Sequence, residues 1–274
     1  MLIGNDGAIG SSIDKKIKCK GYNISSLDIN DYEKTREVIE KEKPDRIINC
    51  AVVQAIDNCE KNSELAFKTN AFSVSNLSKI CNKNNIELVQ LSTHAVFDGN
   101  KKEPYVETDI PIPINNYAIT KYIGEIYSKN CNKHFIIRLP TVYGNYKEGY
   151  FGIVEKFIDW LEKKDKLYVS TDKLDTFTYT KDAVKQIIHI IDSKPYGIYH
   201  VCNSGYCSYY HFVLELKKLM KSKTKILKAL DKDFPCLGKK SLNGSMSTNK
   251  LKPMRKWDEA LKEYIEDYHG SNQR

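Results

Sequence analysis

The chain has 274 residues, of which 41% are hydrophobic, and a formal net charge of +8. No apolar run approaches the about 20 residues that a membrane-spanning helix needs, and the eight cysteines form no Cys-x-x-Cys pair, so we expect neither a membrane protein nor a metal site. The lysines are scattered along the chain rather than gathered in one basic block, which argues against nucleic-acid binding.

The chain begins with a G-x-x-G-x-x-G motif formed by Gly4, Gly7 and Gly10. Because the motif starts almost at once, there is no room for a signal peptide, and we predict a cytoplasmic protein. Glycines at this spacing let the backbone come close to a pyrophosphate at the positive end of the following helix. The motif therefore predicts a dinucleotide site after an unusually short first strand.

The stretch from Ser11 to Ser26 is short for a helix and a second strand, so the second strand cannot be placed from the sequence. In dinucleotide-binding folds the tip of that strand carries an acid for a ribose hydroxyl or a base for a 2′-phosphate. Asp28 is the candidate acid. The candidate bases, each of which has solvated surface as its alternative reading, are Lys15, Lys16, Lys18 and Lys20. The choice between NAD and NADP stays open.

Short apolar runs then alternate with amphipathic segments. The predicted strands cover residues 46–51, 86–91, 134–139 and 197–202. The predicted helices cover residues 63–82, 117–130, 151–163, 181–193, 209–220 and 257–268. This order predicts an α/β fold, a Rossmann-type doubly wound parallel sheet with a smaller C-terminal substrate lobe. We assign residues 1–145 and 168–202 to the dinucleotide-binding domain, and residues 146–167 and 203–274 to the substrate-binding lobe.

Tyr117 and Lys121 form a candidate proton-transfer pair. They lie four residues apart in a predicted helix, so their side chains share one face. A nearby ammonium stabilises a phenolate and lowers the pKa of a tyrosine from about 10, which makes the phenol a usable acid near neutral pH. The spacing also arises by chance on helix surfaces. Its position after the fourth strand, with Ser92-Thr93 upstream, favours catalysis.

Segments in the right order along nearly the whole chain resemble the dTDP-4-dehydrorhamnose reductases, a family of extended short-chain dehydrogenases. The segments that carry the resemblance are 27–31, 43–51, 55–60 with Asn70, 92–93 with 96–99, Tyr117 with Lys121, Arg138 with 142–144, 196–200 with 203–208, 234–235, Ser247 with 249–251, and Trp257 with 260–262. Several matching segments in order are more specific than any single motif.

The resemblance implies NAD(P)H-dependent reduction of a nucleoside-diphospho-4-keto-6-deoxysugar in the synthesis of surface-polysaccharide sugars, by a homodimer. It implies that Tyr117 supplies the proton, that Lys121 tunes it and holds the nicotinamide ribose, and that Thr93 orients the carbonyl. With the glycine motif, the expected contacts of the cofactor, NADP or NAD, are Gly4, Gly7, Ala8, Ile9, Gly10, Asp28, Ile29, Cys50, Ala51, Val52, Tyr117 and Lys121.

The chain departs from the family's pattern where the sugar is expected. His94-Ala95 replace an Asp-Tyr pair, Thr141 stands where the family has Trp, Gln54 replaces a Thr, and residues 175–178 replace a Gly-x-Pro-Thr turn. We therefore predict a different keto-sugar, or a relaxed choice of sugar. The candidate substrate contacts are Gln54, Ile56, Thr93, His94 and Thr141. His94 either bonds a sugar hydroxyl or supports the site without contacting the sugar.

Three other functions share this fold. A sugar-nucleotide dehydratase would need an Asp-Glu pair where this chain has His94-Ala95, which argues against dehydration. An epimerase, which would keep its NAD bound, stays open. So does a non-catalytic subunit, because residues 138–140 followed by Tyr143-Gly144 resemble the beta subunit of methionine adenosyltransferase. The retained Thr93, Tyr117 and Lys121 favour an enzyme.

Overall fold

The computed structural model describes residues 1–144 and 152–271, in which strands and helices alternate. The strands are β1 (Leu2–Ile3), β2 (Gly21–Tyr22), β3 (Arg46–Asn49), β4 (Glu87–Thr93), β5 (His134–Leu139), β6 (Thr141–Tyr143), β7 (Lys166–Ser170), β8 (Leu174–Asp175), β9 (Phe177–Tyr179), β10 (Gly197–His200), β11 (Cys207–Ser208), β12 (Lys225–Ala229) and β13 (Asn243–Gly244). The helices are α1 (Ala8–Lys16), α2 (Tyr32–Glu42), α3 (Ile56–Lys61), α4 (Ser63–Phe67), α5 (Ser73–Lys83), α6 (Asn116–Ser128), α7 (Ile153–Lys163), α8 (Thr180–Ser193), α9 (Tyr209–Leu219) and α10 (Trp257–Ser271). Within the two described ranges, no helix is both long and apolar enough to cross a membrane.

Six strands form one parallel sheet in the order β2-β1-β3-β4-β5-β10. The chain runs from β1 outward to β2 and then returns past β1 to β3, so the strand order reverses between β1 and β3. In open α/β sheets, ligands bind outside the carboxyl ends of the strands at such a reversal. Gly4 follows β1 and Cys50 follows β3, so both lie at this edge. The predicted fold class is confirmed.

Neighbouring residues of the central strands face opposite sides of the sheet, as the two-residue period of a strand requires. Leu2 packs in one core with residues of α1 and α8, whereas Ile3 packs in a second core with residues of α2 and α5. Ile48 and Ile47 divide between the two cores in the same way. Helices therefore cover both faces of the parallel sheet, which leaves its carboxyl edge for ligands.

A third core contains residues of α7, α9 and α10 and of the strands β6, β7, β9 and β11. The strands outside the large sheet pair as β11-β8-β13, β12-β7 and β6-β9. In the third core the rings of Phe177 and Phe212 stack with their centroids 3.7 Å apart. β7 pairs with β12, and β8 pairs with β13, whereas residues 168–202 are predicted above to belong to the dinucleotide-binding domain. The predicted boundary at residues 145/146 lies outside the described residues, and the division into domains stays a prediction.

The predicted helix over residues 63–82 is interrupted by a π-helical turn at Lys68–Phe72, between α4 and α5. Asn70 in this turn accepts a hydrogen bond from Val53 N and donates one to Val53 O, both at 2.9 Å. Its amide also donates to Thr120 Oγ1 at 3.1 Å. These tertiary bonds hold the wider turn, which a helical hydrophobic period does not reveal. The helix predicted over residues 151–163 would start at Phe151, a position that lies outside the described residues.

Candidate active site

The glycine turn allows β1, β3 and α1 to approach one another closely. Gly4 has a φ of +75°, and a Cβ there would lie 2.7 Å from Ala51 N. A Cβ on Gly10 would lie 2.0 Å from Gly4 O, so any side chain at position 10 would force α1 away from the turn. A Cβ on Gly7 would meet only Gly4 O, at 3.7 Å. Two of the three glycines, Gly4 and Gly10, are thus required by space, and Gly10 lies in the first turn of α1, which begins at Ala8.

A cavity of about 690 Å³ runs from the glycine turn to the start of α6. All of the residues predicted to contact the cofactor line it, namely Gly4, Gly7, Ala8, Ile9, Gly10, Asp28, Ile29, Cys50, Ala51, Val52, Tyr117 and Lys121. Thr93 and Gln54 line it as well. The sheet edge therefore brings the predicted cofactor residues and the predicted catalytic residues into one continuous space.

The tip of the second strand carries neither the predicted acid nor the predicted base. β2 ends at Tyr22, and the next residue, Asn23, lines the cavity. Asp28 lines the cavity farther along the chain. The candidate lysines, which are absent from the described lining of the cavity, are Lys15, Lys16, Lys18 and Lys20. Lys20 instead pairs with Glu42, Nζ to Oε1, at 2.5 Å.

Asn30 and Thr69 are cavity residues that the sequence analysis did not single out as contacts. Asn30 Nδ2 donates to Thr69 Oγ1 at 3.0 Å, whereas Asn30 Oδ1 is buried and has no hydrogen-bond partner among the described residues. A buried acceptor without a partner is costly unless a ligand supplies a donor. The only signal in the sequence is that Asn30 lies within the segment 27–31 that carries the family resemblance.

Thr93, Tyr117 and Lys121 meet at the carboxyl end of β4. The Asn115 side chain caps α6 by accepting a hydrogen bond from Ala118 N at 2.8 Å, so the helix starts immediately before Tyr117. The Tyr117 and Thr93 side chains are hydrogen-bonded to each other. One turn later, Lys121 Nζ donates to Leu91 O at 2.6 Å. The predicted shared face of the helix is therefore present.

Burial dominates the ionisation of the pair. It raises the pKa of Tyr117 to about 12, although the hydrogen bond with Thr93 acts in the opposite direction. It lowers the pKa of Lys121 to about 8, against the attraction of Glu125. Lys121 is not among the groups that shift the pKa of Tyr117. The ammonium is instead turned toward the backbone carbonyl of Leu91, and that Lys121 tunes Tyr117 stays a prediction.

A buried ion pair fastens α6 to the sheet below these residues. Arg138 bonds Glu125 through two nitrogens, at 2.9 and 2.7 Å, and both side chains are at most 2% exposed. Ser92 Oγ donates to Glu125 Oε1 at 2.5 Å. Bidentate pairs of this kind fix geometry as well as charge. Glu125 lies one helical turn after Lys121, so the network sets where the face of α6 that carries Tyr117 and Lys121 stands relative to β4.

The predicted substrate contacts fall into two groups. Thr93 and Gln54 line the cavity, whereas Ile56, His94 and Thr141 are not among its described lining residues. Ile56 is the first residue of α3 and packs against Gly238. A Cβ on Gly238 would lie 2.6 Å from Ile56 Cγ2. His94 and Thr141 come together elsewhere, around a residue that the sequence analysis noted only as a departure from the family's pattern.

That residue is Asp175, at the end of β8. Its Oδ2 accepts a hydrogen bond from Thr141 Oγ1 at 2.6 Å and lies 3.7 Å from His94 Nε2. Tyr209 also donates to Oδ2, at 3.2 Å. Four side chains from separate elements thus form one polar cluster, which we call the Asp175 cluster.

The chain is similar to known proteins over nearly its whole length. The family model of the RmlD substrate binding domain matches residues 1–269. A dTDP-4-dehydrorhamnose reductase from Clostridium acetobutylicum is 32% identical with a TM-score of 0.92, over 98% of each chain. One from Bacillus anthracis, solved in complex with NADP, is 27% identical with a TM-score of 0.92, over 97% of this chain and 98% of that one. The spore coat polysaccharide biosynthesis protein SpsK of Bacillus subtilis is 29% identical, over 97% of this chain and 96% of that protein.

Proposed function

The chain belongs to the RmlD substrate binding domain family, and on that premise we propose that it is an NAD(P)H-dependent reductase of a nucleoside-diphospho-4-keto-6-deoxysugar. The observation that carries the proposal is the meeting of Thr93, Tyr117 and Lys121 on the wall of the cavity that begins at the glycine turn. Two relatives are named dTDP-4-dehydrorhamnose reductase and one is named for spore coat polysaccharide synthesis. We therefore propose that the product serves the synthesis of a surface polysaccharide.

The cavity fits a nicotinamide dinucleotide. Gly4 and Gly10 form a cradle that a Cβ would fill, and the N-terminus of α1 offers backbone N–H groups to a pyrophosphate. At its other side, the unpaired Asn30 Oδ1 can accept a hydrogen bond from an amine. A relative was solved with NADP, whereas the tip of β2 carries the neutral Asn23, so the proposal covers both NADP and NAD. When bound, the reduced cofactor supplies the hydride for the keto carbon.

The chain's own residues supply the proton. Since burial keeps Tyr117 protonated far above neutral pH, its hydroxyl is poised to donate to the oxygen that becomes the sugar's new hydroxyl. Thr93, already hydrogen-bonded to Tyr117, orients the carbonyl beside that proton. The ammonium of Lys121 has three protons and gives one to Leu91 O. The remaining protons are proposed to hold the nicotinamide ribose.

The sugar is proposed to lie against Thr93, Gln54, Ile56, His94 and Thr141. Because His94 and Thr141 replace larger or acidic residues of the family's pattern, we propose that the keto-sugar differs from dTDP-4-dehydrorhamnose or that several sugars are accepted. The proton-transfer residues are the same as in the family. The chemistry is thus proposed to be retained while the choice of sugar changes.

We also propose that the protein is a homodimer. Large apolar side chains are exposed on neighbouring helices, with Leu65 49%, Phe72 51% and Ile126 44% exposed, and clustered apolar surface is typical of subunit interfaces. Sedimentation equilibrium tests this directly. A single species with the mass of one chain at micromolar concentration would contradict it.

The proposed reaction is tested by following the absorbance of NADPH and of NADH with a panel of nucleoside-diphospho-4-keto-6-deoxysugars. Consumption of either cofactor, with a 6-deoxyhexose as the product by NMR, is the expected result, and the panel identifies sugar and cofactor together. An epimerase would instead interconvert sugars without net cofactor consumption. A non-catalytic subunit would bind cofactor, turn over no sugar and purify with a larger partner. Either outcome would overturn the reductase proposal.

A further inference from the structure

Asp175 is a buried carboxylate whose charge is balanced mainly by hydrogen bonds. Its side chain is 1% exposed, and burying a carboxylate is costly unless its oxygens are satisfied. Oδ1 accepts a hydrogen bond from Thr176 N at 2.8 Å, and Oδ2 accepts from Thr141 and Tyr209. Among the described residues, His94 is its sole ion-pair contact. Its oxygens therefore fix the orientation of the groups that donate to them.

The hydrogen bond to Thr141 settles which way that hydroxyl points. A threonine hydroxyl has one proton to donate and two lone pairs that can accept. At 2.6 Å from Oδ2, the proton of Thr141 is committed to the carboxylate in a short, charge-assisted bond. The hydroxyl therefore presents only lone pairs to anything else that touches it. Thr141 is half-buried, so one side of it is open to a ligand.

His94 forms the neighbouring wall with its two ring nitrogens already facing protein oxygens. Nε2 lies 3.7 Å from Asp175 Oδ2, and Nδ1 lies 3.4 Å from Leu139 O. Gly244 leaves the space for this ring, since a Cβ at position 244 would lie 2.5 Å from His94 Cδ2. The structure therefore favours His94 as a wall that supports the site over His94 as a hydrogen-bond partner of the sugar.

The Asp175 cluster adjoins the place where the keto-sugar must react. His94 directly follows Thr93, and Thr141 directly follows Pro140, while Thr93 and Pro140 both line the cavity. Thr93 is hydrogen-bonded to Tyr117. The cluster therefore borders the part of the cavity in which a carbonyl held by Tyr117 and Thr93 would lie.

We propose that Asp175 is a positioning residue that makes Thr141 an obligate hydrogen-bond acceptor, so that the site selects a keto-sugar presenting a free hydroxyl to Thr141. This inference rests on the proposed function, because it names how the same site chooses its sugar. Tyr209 donates to the same carboxylate oxygen and holds it in place.

The isosteric change Asp175→Asn tests the proposal. The single oxygen of an asparagine amide cannot accept from both the Thr176 side and the Thr141 side, and its NH2 group faces one of them as a donor, so the proton of Thr141 is no longer held by a charged acceptor. We expect the KM for the keto-sugar to rise about tenfold, the loss expected for one hydrogen bond, while kcat at saturating sugar and the Kd for NAD(P)H stay within about twofold.

Changes at Thr141 and a nearby carboxylate separate positioning from a general disturbance of the lobe. Thr141→Val should raise the sugar KM as much as Asp175→Asn, the double variant should be no worse than either single one, and Thr141→Ser should behave as wild type. Asp172→Asn is the matched control. Asp172 accepts hydrogen bonds from Ser170 Oγ and Asp231 N in the same lobe, and its loss should leave the sugar KM unchanged.

Calorimetric binding of dTDP-rhamnose to the same variants distinguishes this inference from the proposed function. If wild type binds dTDP-rhamnose but reduces no keto-sugar, the reductase proposal fails, and the inference is judged by whether Asp175→Asn and Thr141→Val weaken this binding. An unchanged sugar KM or Kd in Asp175→Asn overturns the inference. Failure of wild type both to bind dTDP-rhamnose and to turn over any keto-sugar overturns both.

Discussion

Tyr117 and Lys121 share one wall of the cavity, and burial acts on them in opposite directions. The phenol is kept neutral, with its pKa raised to about 12, whereas the ammonium is destabilised, with its pKa lowered to about 8. The tyrosine therefore holds its proton throughout the physiological range. The lysine, in contrast, loses its charge within that range. Any dependence of the reaction on pH near neutrality should thus come from Lys121.

The pH dependence of kcat/KM for NAD(P)H tests this assignment, because that quantity reports ionisations of the free enzyme. We expect kcat/KM to fall as the pH rises through about 8. Above that pH Lys121 is a neutral amine with one proton fewer than the ammonium, so it holds a ribose hydroxyl less well. Lys121→Arg carries a charge that does not titrate, so its lower activity should be level across the same range. A wild-type profile that is level from about pH 7 to 9.5 would contradict the role of Lys121.

The sequence locates the proposed catalytic residues better than it locates their partners. Thr93, Tyr117 and Lys121 follow from a strand end and a four-residue helical spacing, which are local patterns. The role of Asp175 becomes visible through its hydrogen bonds with Thr141 and Tyr209, each 34 positions away along the chain. The role of Asn30 becomes visible through its hydrogen bond with Thr69, 39 positions away. Such pairings depend on the packing of separate elements, which one sequence does not display.

At the scale of elements, the cofactor cradle depends on how closely α1 approaches the end of β1. Gly10→Ala places a methyl group 2.0 Å from Gly4 O, so α1 must shift, and we expect about 1–3 kcal/mol lower stability and at least tenfold weaker NAD(P)H binding. Gly7→Ala is the matched control for stability, because its methyl group would lie 3.7 Å from the nearest atom. Urea unfolding and fluorescence titration measure both effects. Equal stability of the two variants would contradict the argument.

Elements buried on both faces are the ones that the sequence predicts well. Residues 134–139 form β5 with the predicted bounds, because a mainly apolar run fits a central parallel strand. β2 has only two residues, both half-buried, so it is too short to show the alternation of apolar and polar residues that marks a strand. The π-helical turn at Lys68–Phe72 escapes prediction because Asn70 holds it through bonds to Val53 and Thr120, outside its own helix.

At the scale of the whole molecule, His200 at the end of β10 joins the edge of the sheet to the C-terminal part of the chain. Its Nδ1 faces Ser247 O at 2.9 Å, and its backbone N–H donates to Glu107 at 3.0 Å. Glu107 also accepts hydrogen bonds from Thr248 and Asn249. Burial lowers the pKa of His200 from 6.5 to about 4. The fold therefore requires this imidazole to be neutral.

Stability should consequently decline in mild acid. Between pH 6.5 and about 4 the unfolded chain binds a proton at His200 that the folded chain does not, so stability rises with pH across this window and is lost as the pH falls. The loss is on the order of 3 kcal/mol. His200→Gln should flatten the curve, whereas replacing the exposed His189 by Gln should not. Urea unfolding at constant stability across this window would contradict the argument.

The central claim is that this chain reduces a keto-sugar with a proton from Tyr117. The most direct test compares NAD(P)H oxidation by wild type, Tyr117→Phe and Tyr127→Phe on the best keto-sugar of the panel, with the affinity for cofactor measured alongside. Tyr127 lies on the same helix and is not among the described residues lining the cavity. We predict that Tyr117→Phe binds NAD(P)H normally and loses at least about a hundredfold in kcat, while Tyr127→Phe resembles wild type. Undiminished turnover by Tyr117→Phe would contradict the account.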